Sequence, residues 1–475
     1  MNGISLVPKD RPVRALYLLL MAAVLGCQAL PSPNAHAPVA PSQNTPQSQP
    51  APLQVQPTAY VAPDDSGPEL IPAPAVQPLP EKVREGGQIF SLEQLQGMAV
   101  AAHPAIAEAA ARVDAMRGKW VQAGLPPNYV AGYVASEIGN DGTAGQQGIY
   151  LGKEFVTGDK LGLAQQVACW EIQRAEHQLR AMERRVLTDV QLAYFEVLVA
   201  QRRVELTEQL VEIGTQSRKS VEQNVKAEQQ SKLDLIQSEV ELETAHVQAE
   251  NARATRTAAW RRLAALLGDP DLPISHVTGD PATNLPQLAL DELVARVITE
   301  HPELAAAWAD VQRARWQIDR EVAQVVPNVD VQLMLQHDNS SNYDIVGIQT
   351  TMALPIVNRN QGAIQQAEAE ASAAGAAARR LELSLRRQLA TTYQRYEMAN
   401  QQVKRYKENI LPRTEETLRL TRLAFDKNEL SVLQLIVVQR TYAQTHLAAL
   451  ESLSDLRAAS TQLEGLLLQG SLSSE

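Results

Sequence analysis

Few residues of this 475-residue chain lie at spacings that support catalysis. The sequence contains no phosphate-binding Gly-Lys-Ser loop, no dinucleotide-binding glycine pattern, no His-Glu-x-x-His zinc motif and no nucleophile elbow. His103 and His301 each precede a proline, but no cysteine or pair of acidic residues accompanies them at the spacing of metal ligands. A role in ending a helix or forming a turn is therefore predicted for both. The sequence predicts a protein that is not an enzyme, with no catalytic, cofactor-binding or metal-binding residues and no cofactor.

Cys27 is the residue for which the sequence predicts a covalent modification. Basic residues precede the apolar run 15–25, which is too short to span a bilayer and has the proportions of a signal peptide. The run is followed by Gly-Cys, and Val-Leu-Gly-Cys resembles the bacterial lipobox, so residues 1–26 are predicted to be a lipoprotein signal peptide and Cys27 the site of lipid attachment. Gln28 follows in place of aspartate, which indicates sorting to the outer membrane. Cleavage after Ala37, among small residues, is the alternative.

Composition separates a proline-rich N-terminal segment from a helical remainder. Residues 27–87 hold about half of the 27 prolines, mixed with Ala, Gln and Ser, and such a segment cannot bury enough apolar surface to fold. It is predicted to be a disordered linker, either a stiff tether to the membrane or a tail without a role. The remainder is rich in Ala, Leu, Gln, Glu and Arg, which favours long packed helices. The net charge of -11, with both signs intermixed, argues against nucleic acid as a partner.

The folded part is an internal duplication with a spacing of about 200 residues. Each half begins with a leucine-rich segment ending in His-Pro, and further matching pairs follow in the same order. They are His103-Pro104 with His301-Pro302, Pro127-Asn128 with Pro327-Asn328, Gln165-Gln166 with Gln365-Gln366, and Ser231 to Ile236 with Ser431 to Ile436. Chance similarity between helices would not keep prolines and turn residues in order. The sequence therefore predicts two repeats, at 88–285 and 286–470, and a tail at 471–475.

Each repeat is predicted to contain a pair of β-strands. In the second repeat, apolar and polar side chains alternate over 329–336 and again over 346–354, with turn-forming residues between them, which is the period-two pattern of strands. The first repeat shows the same arrangement around a glycine-rich turn at 139–148. Each strand is about ten residues long, the length that a tilted strand needs to cross a bilayer. The predicted strand pairs span about 126–156 and about 327–355.

A long helical hairpin is predicted after each strand pair, because apolar residues recur there at helical spacing. The hairpins span about 160–268 and about 361–468. Polar residues and a capping serine interrupt the pattern at 226–231 and 427–431, which are the predicted tips. We expect arms of about 50 residues, on the order of 75 Å long. Pro412 predicts a break in the second repeat, since Glu212 takes its place in the first.

The predicted fold is mainly α with a small β part, and its four strands per chain cannot close a barrel alone. The smallest membrane barrels have about eight strands, and an open sheet would leave its edges unpaired. The chain is therefore predicted to pair with copies of itself. Three copies would supply a 12-stranded trimeric barrel above a ring of long antiparallel helical hairpins that form a tunnel.

These features resemble the outer-membrane efflux factor family, the family of the TolC channel, from about Ser91 to Gly470. The resemblance is carried by the His-Pro segment in each repeat, the Leu-Pro-Ile-Val-Asn-Arg-Asn-Gln-Gly run from Leu354 to Gly362, the Ser-Val-Leu-Gln-Leu-Ile tip, and the Leu-Leu-Gly that closes the first repeat. The run from Leu354 to Gly362 looks most like the cation-efflux branch, whose members work with heavy-metal pumps. One segment does not determine the cargo.

The resemblance implies a homotrimeric channel that passively conducts small molecules or metal cations out of the cell. It implies two protein partners, a periplasmic adaptor (membrane fusion) protein and an inner-membrane pump, for which the RND type is a candidate. It also implies contact with outer-membrane lipid. The expected location is the bacterial outer membrane, with a lipid anchor and a large periplasmic part.

In the family, the hairpin tips meet the adaptor and close the tunnel. The resemblance therefore assigns adaptor-contact or gate positions at both tips, namely Glu228, Ser231 and Asp234 in the first repeat and Asn428, Glu429, Ser431 and Gln434 in the second. Some members carry acidic rings there to attract cations. Asp234 would place a carboxylate in the bore, although Gln434 departs from the acidic pattern. A solvated helix residue is the alternative for Asp234.

Two other functions remain open at this stage. One is an outer-membrane channel for type I protein secretion, which differs only in its cargo. The other is a non-conducting, lipid-anchored periplasmic coiled-coil scaffold. The scaffold accounts for the helices and the linker. It does not explain why strand pairs occur at equivalent positions of the two repeats.

Overall fold

The computed structural model describes residues 89–139, 142, 144–427 and 429–472. The predicted signal peptide, the linker at 27–87 with Cys27, and Asn428 lie outside the described residues. Most of the described residues are helical, and six strands are present among them. No helix in this part of the chain is both long enough and apolar enough to cross a membrane.

The secondary structure follows the same order twice. The first half contains β1 (Ile89–Phe90), α1 (Leu92–Ala102), α2 (Pro104–Ala123), β2 (Val130–Ser136), β3 (Gln146–Phe155), α3 (Lys160–Lys226), α4 (Lys232–Leu266) and β4 (His276–Val277). The second half contains α5 (Leu290–Glu300), α6 (Pro302–Ala323), β5 (Val329–Asp338), β6 (Tyr343–Met352), α7 (Gln361–Arg405), a π-helical turn (Tyr406–Ile410), α8 (Leu411–Asp426) and α9 (Val432–Glu464). The prediction of a mainly α, internally duplicated fold with a small β part is confirmed.

The two strand pairs join into one antiparallel sheet with the order β2-β3-β5-β6. β3 of the first half pairs with β5 of the second half over ten residues, from Gln146 opposite Asp338 to Phe155 opposite Val329. A separate short parallel pair, β1 with β4, lies at the beginning and end of the first half. The sheet therefore contains both halves of the duplication side by side.

The prediction of two equal arms of about 50 residues per hairpin is wrong. α3 has 67 residues and α4 has 35, which correspond to roughly 100 Å and 50 Å of helix. The cause is the helix that precedes each strand pair. α2 and α6 pack along the strand-proximal half of α3, so α4 needs to cover only the half near the tip. The sequence pattern of α3 records one apolar face but not which helix covers each half.

Pro412 interrupts the second hairpin, as predicted. The π-helical turn Tyr406–Ile410 precedes it, and α8 begins with proline in its first turn. Proline has no N–H and its ring collides with the carbonyl four residues earlier, so the wider π turn accommodates it. In the first repeat α3 runs through Glu212 without a break. The two outgoing arms thus differ at one place because of one residue.

Each repeat has its own apolar core where its first helices meet its hairpin. In the first repeat Leu95, Val190, Trp260 and Leu263 belong to this core. The second repeat has an equivalent core of Leu293, Leu389, Leu456 and Leu463. Each hairpin is therefore anchored to the first helices of its own repeat.

The two His-Pro histidines are buried at the starts of α2 and α6. His103 is the N-cap of α2, and its Nδ1 accepts the N–H of Ala105 at 3.2 Å, which confirms the predicted helix-boundary role. His301 occupies the equivalent position without a side-chain cap, and burial lowers its pKa to about 4. Among the described residues, no cluster of His, Cys, Asp and Glu could hold a metal ion.

Candidate functional site

One face of the sheet is apolar and exposed. The register places matching side chains in rows across all four strands, one of Tyr133, Ile149, Leu335 and Val346 and one of Ala131, Leu151, Leu333 and Ile348. Tyr133 is 64% exposed, Ile149 62% and Ile348 74%. An apolar surface that extends over four strands needs an apolar neighbour, since water makes its exposure unfavourable. This face has the chemistry of a surface that contacts lipid.

The opposite face of the sheet carries more small and polar residues, together with the apolar or aromatic residues Val130, Val134, Tyr150, Met334, Tyr343 and Ile345. One row contains Val130, Gly152, Gln332 and Gln349, and the row at its end contains Ser136, Gln146, Asp338 and Tyr343. Gly148 is required on this face, because a Cβ there would lie 2.0 Å from the carbonyl oxygen of Leu335. A sheet with one apolar and one polar face matches the wall of a water-filled membrane pore.

The two outer strands of the sheet, β2 and β6, each have a single neighbour among the described residues. Their outer backbone N–H and C=O groups therefore face a free edge, as predicted for a four-stranded unit. Free edges pair readily with a strand of another chain.

The first hairpin tip is closed by hydrogen bonds between its own residues. The N–H of Gln229 donates to the carbonyl of Asn224 at 2.9 Å, and Glu228 adopts a left-handed conformation with φ of 58°. Ser231 then caps α4: its hydroxyl accepts the N–H of Asp234 at 3.2 Å, and the Asp234 carboxylate accepts the N–H of Ser231 at 3.0 Å. This capping box provides acceptors for the backbone N–H groups of Ser231 and Asp234, which have no partner within the helix.

The second tip has the same geometry with an amide in place of the carboxylate. The hydroxyl of Ser431 accepts the N–H of Gln434 at 3.4 Å, and Oε1 of Gln434 accepts the N–H of Ser431 at 3.0 Å. The N–H of Glu429 donates to the carbonyl of Ala424 at 2.9 Å. Because an amide completes the same capping box, the negative charge of Asp234 is not needed to start the helix.

The two tips are joined by contacts that the sequence interpretation did not predict. An apolar cluster contains one residue of α3 and four of the second hairpin, namely Val221, Phe425, Val432, Leu435 and Ile436. Nε and Nη2 of Arg440 both donate to Oε2 of Glu241, at 2.8 and 2.7 Å. Gln439 also donates to the hydroxyl of Ser217. Apolar periodicity indicated buried positions here, but it carried no information about which hairpin would cover them.

A model of the family described as outer membrane efflux protein matches the chain twice, over residues 95–269 and 293–467. The chain belongs to the outer membrane efflux protein family. One match falls in each half of the duplication, and the resemblance stated from the sequence motifs is confirmed. Members of this family are outer-membrane efflux channels.

Individual efflux proteins agree with this assignment. The cobalt-zinc-cadmium resistance protein CzcC of Cupriavidus metallidurans is 24% identical over 413 residues, which are 87% of this chain and 96% of CzcC. A membrane protein of known structure from Pseudomonas aeruginosa has a TM-score of 0.68 and 19% identity, over 79% of this chain and 92% of that one. CusC, whose crystal structures concern folding and transmembrane channel formation, has a TM-score of 0.67 and 17% identity, over 86% of this chain and 99% of CusC. At these identities the two structures support the fold.

The tips of this efflux protein also expose apolar side chains. Leu233 is 62% exposed and Ile236 49% in α4, and in α9 Leu433, the counterpart of Leu233, is 60% exposed and Val437 54%. They lie beside the polar tip residues predicted from the sequence. A mixed apolar and polar surface of this kind is typical of a protein contact site.

Arg457 holds the connection between the two repeats of the efflux protein, and the sequence interpretation missed it. It is 7% exposed, and its guanidinium donates to the carbonyls of Pro281 at 2.7 Å, of Thr283, and of Asn284 at 3.4 Å. The guanidinium also lies 4.6 Å from the ring centroid of Phe195. Burial lowers the pKa of Arg457, which remains a cation because arginine is protonated at any pH near neutrality. The buried guanidinium thus ties the connection between the repeats to α9.

Proposed function

We propose that this chain is the outer-membrane channel subunit of a tripartite export system and passively conducts its cargo from a periplasmic adaptor and an inner-membrane pump to the outside. The observation that carries the proposal is the sheet with one exposed apolar face, one more polar face, and two free edges. A pore wall needs all three features, and a coiled-coil scaffold needs none of them.

The channel is proposed to be a homotrimer. Four strands per chain are too few to enclose a pore, and three copies supply twelve. The same threefold arrangement sets six helical hairpins side by side, since each chain contributes two. The family assignment supports this arrangement, because the matched region spans both hairpins and both strand pairs.

The hairpin tips are proposed to contact the adaptor and to gate the tunnel. The proposed positions are Glu228, Ser231, Asp234, Asn428, Glu429, Ser431 and Gln434. The exposed apolar side chains of Leu233 and Leu433 would supply the contact area, and the polar residues around them its specificity. An RND-type pump is the proposed partner in the inner membrane.

Metal cations are the proposed cargo, because the related CzcC is a cobalt-zinc-cadmium resistance protein. Small organic molecules and, in a type I system, secreted proteins are the alternative cargoes. The complete system, reconstituted with its adaptor and pump, distinguishes among these cargoes. The test compares its transport of metal salts with its transport of organic cations. Efflux of organic compounds without any effect on metal tolerance would contradict the metal proposal.

Replacing Asp234 with asparagine is expected to lower the cation preference of the channel about twofold to threefold. The substitution removes one carboxylate per copy from the tip, and a ring of carboxylates in a narrow bore raises the local concentration of cations. An asparagine oxygen can still accept from Ser231, as the Gln434 oxygen does from Ser431, so the helix cap should persist. The measurement is the reversal potential of single channels under a salt gradient.

Glu208 provides the control for this measurement. Its carboxylate pairs with Arg253 at 2.7 Å within the same hairpin, farther from the tip, so Glu208→Gln should leave the reversal potential unchanged. Equal reversal potentials for the wild type and Asp234→Asn would show that Asp234 is a solvated capping residue without a role in conduction.

The N-terminal region is proposed to be a lipid anchor. In this proposal residues 1–26 are removed, Cys27 carries lipid, and residues 27–87 tether the repeats at 88–285 and 286–470 to the membrane. The intact mass of the mature chain tests this proposal. A mass that corresponds to an acylated chain beginning at Cys27 supports it, and an unmodified chain beginning at Pro38 contradicts it.

The channel itself is tested by recording conductance from the purified mature protein in planar bilayers, together with its mass in detergent. Discrete conductance steps from a trimer are expected. A stable monomer without conductance in membranes would contradict the channel and favour the lipid-anchored scaffold.

A further inference from the structure

All four glycines of the four-stranded sheet lie on its more polar face, which the proposed channel assigns to the bore. They are Gly132 in β2, Gly148 and Gly152 in β3, and Gly347 in β6. None of these four has the left-handed backbone conformation that favours glycine. Glycine weakens the interior of a strand, and it often marks a place that another group approaches closely. The reason for glycine at these positions therefore lies in their neighbours.

Gly132 lies beneath the ring of Tyr150. The two residues are directly opposite each other in β2 and β3. A Cβ added to Gly132 would lie 2.5 Å from Cε1 of Tyr150 and 2.6 Å from both Cζ and Oη, so the end of the ring occupies the space of the missing side chain. Neighbouring strands are about 4.8 Å apart, and the ring spans this distance. Side chains of a strand usually stand upright on the sheet, but Tyr150 lies flat against the wall.

The other three glycines are covered in the same way by an unbranched side chain of the paired strand. Gly148 and Gly152 are the neighbours of Tyr150 on this face of its own strand. Two glutamines cover them, so the flat positions on either side of the ring are already occupied. The side-chain atoms nearest to an added Cβ are Cγ of Gln336 at 2.8 Å for Gly148, Cγ of Gln332 at 3.3 Å for Gly152, and Cε of Met334 at 3.5 Å for Gly347.

We propose that Gly132 is a recess that holds the Tyr150 ring out of the bore, and that this recess sets the largest cargo that passes the barrel. The inference rests on the proposed channel and adds the residue pair that determines its width. Any side chain at position 132 would take the space of the ring. Because the glutamines occupy the positions on either side, the ring would have to rise into the bore, three times in a trimer.

The Tyr150 ring is the group whose position matters most for the width of the bore. It is rigid and has only two side-chain torsions, so it cannot bend around an obstacle. Met334 lies over Gly347 in the same row of paired residues, but its chain is flexible and a Cβ on Gly347 would meet it at an ordinary contact distance. Gly347→Val is therefore the matched control, since it adds the same volume at the same depth without displacing a ring.

A cysteine deeper in the bore measures the width at Tyr150. Thr351 lies on the same face, about 13 Å along β6 from Gly347 and towards the helices. A thiol reagent added outside intact cells has to pass the Tyr150 rings to reach Thr351→Cys in the full-length chain. The measurement is the reaction rate of the bulky fluorescein maleimide divided by that of a small anionic methanethiosulfonate. Cells with the same chain without this cysteine supply the background.

Gly132→Val is expected to lower this ratio about tenfold, because the diameter of the pore limits the bulky reagent and not the small one. Adding Tyr150→Ala to Gly132→Val is expected to restore the ratio of the wild type, since no ring remains to be displaced. Gly347→Val is expected to stay within about twofold of the wild type. An unchanged ratio in assembled Gly132→Val, an equal fall in Gly347→Val, or a low ratio that persists after Tyr150→Ala overturns the recess.

Native mass in detergent shows whether each variant assembles. If valine prevents assembly, Gly132→Ala is the second variant, because its single Cβ still enters the space of the ring, and a fall of about threefold is expected. Loss of assembly in both variants, with or without Tyr150→Ala, would show that position 132 serves the packing of the sheet, and the recess would be wrong.

Failure of the channel has a different signature. A Thr351→Cys chain that assembles in the outer membrane but reacts with neither reagent contradicts the bore itself. Reaction with both reagents at the same ratio in all variants leaves the channel intact and overturns only the recess.

Discussion

Leu333→Arg is expected to remove most of the protein from the outer membrane. Leu333 lies near the middle of β5 on the exposed apolar face, between Leu151 and Ile348 in its row. An arginine on the lipid face at the bilayer midplane costs about 2–4 kcal/mol, and a trimer would incur this cost three times. Such a total is comparable with the whole stability of a typical protein. The measurement is the fraction of the chain recovered from outer membranes as an assembled oligomer.

Gln332 provides the matched control, since it is the adjacent residue on the opposite face. Gln332→Arg adds the same charge and places the same side chain one residue away, but on the face assigned to the water-filled pore. We expect assembly close to that of the wild type and a reduced cation conductance. Equal loss of assembly in both variants would show that the two faces do not differ in their surroundings, and the assignment of the apolar face to lipid would be wrong.

Arg457→Met is expected to lower the free energy of unfolding by about 3 kcal/mol. The change removes the guanidinium that donates to the carbonyls of Pro281, Thr283 and Asn284 and stacks on Phe195. Hydrogen bonds from a charged donor contribute about 1.5–3 kcal/mol each, but Thr283 and Asn284 lie at the surface, so water recovers part of the loss. Methionine keeps a similar apolar volume, so the loss reports mainly on the hydrogen bonds.

Thermal unfolding of the helices, followed by circular dichroism in detergent, measures this effect. Arg419→Met is the control, because Arg419 pairs with Glu416 on the exposed surface of α8 and its side chain is 60% exposed. Exposed pairs of this kind contribute at most about 1 kcal/mol. Equal midpoints for the two variants would show that Arg457 does not hold the connection between the repeats.

Arg457→Lys refines this prediction. Lysine keeps the positive charge but has a single nitrogen, so it cannot reach all three carbonyls in the planar geometry of arginine. We expect a midpoint between those of the wild type and Arg457→Met. A lysine variant as stable as the wild type would indicate that the charge alone matters.

Features that depend on local pattern were predictable from the sequence. Alternating residues identified both strand pairs, because a strand exposes two faces with a period of two. Ser231 and Ser431 identified the helix starts at both tips, because a capping serine acts on an N–H three residues away. Pro412 identified the break in the second hairpin for the same reason, since proline acts on its own turn of helix.

The duplication extended these local signals to the whole chain. Prolines and serines that match between the two halves identified two copies of one unit, and the strand count of that unit required partners. The family resemblance and the fold class followed from these observations. The repeat limits at 88–285 and 286–470, the lipid on Cys27 and the roles of the tip residues remain predictions.

The tertiary structure decided which surfaces meet. The unequal lengths of α3 and α4 arise because α2 and α6 cover half of α3, which an apolar face in the sequence cannot indicate. Arg440 binds Glu241 across 199 residues of sequence, and Arg457 binds carbonyls of the distant connection between the repeats. A sequence pattern records that a residue prefers burial or needs a partner, because that preference belongs to its side chain. The identity of the partner depends on how rigid helices pack, and only the folded chain brings such distant residues within the roughly 3 Å of a hydrogen bond.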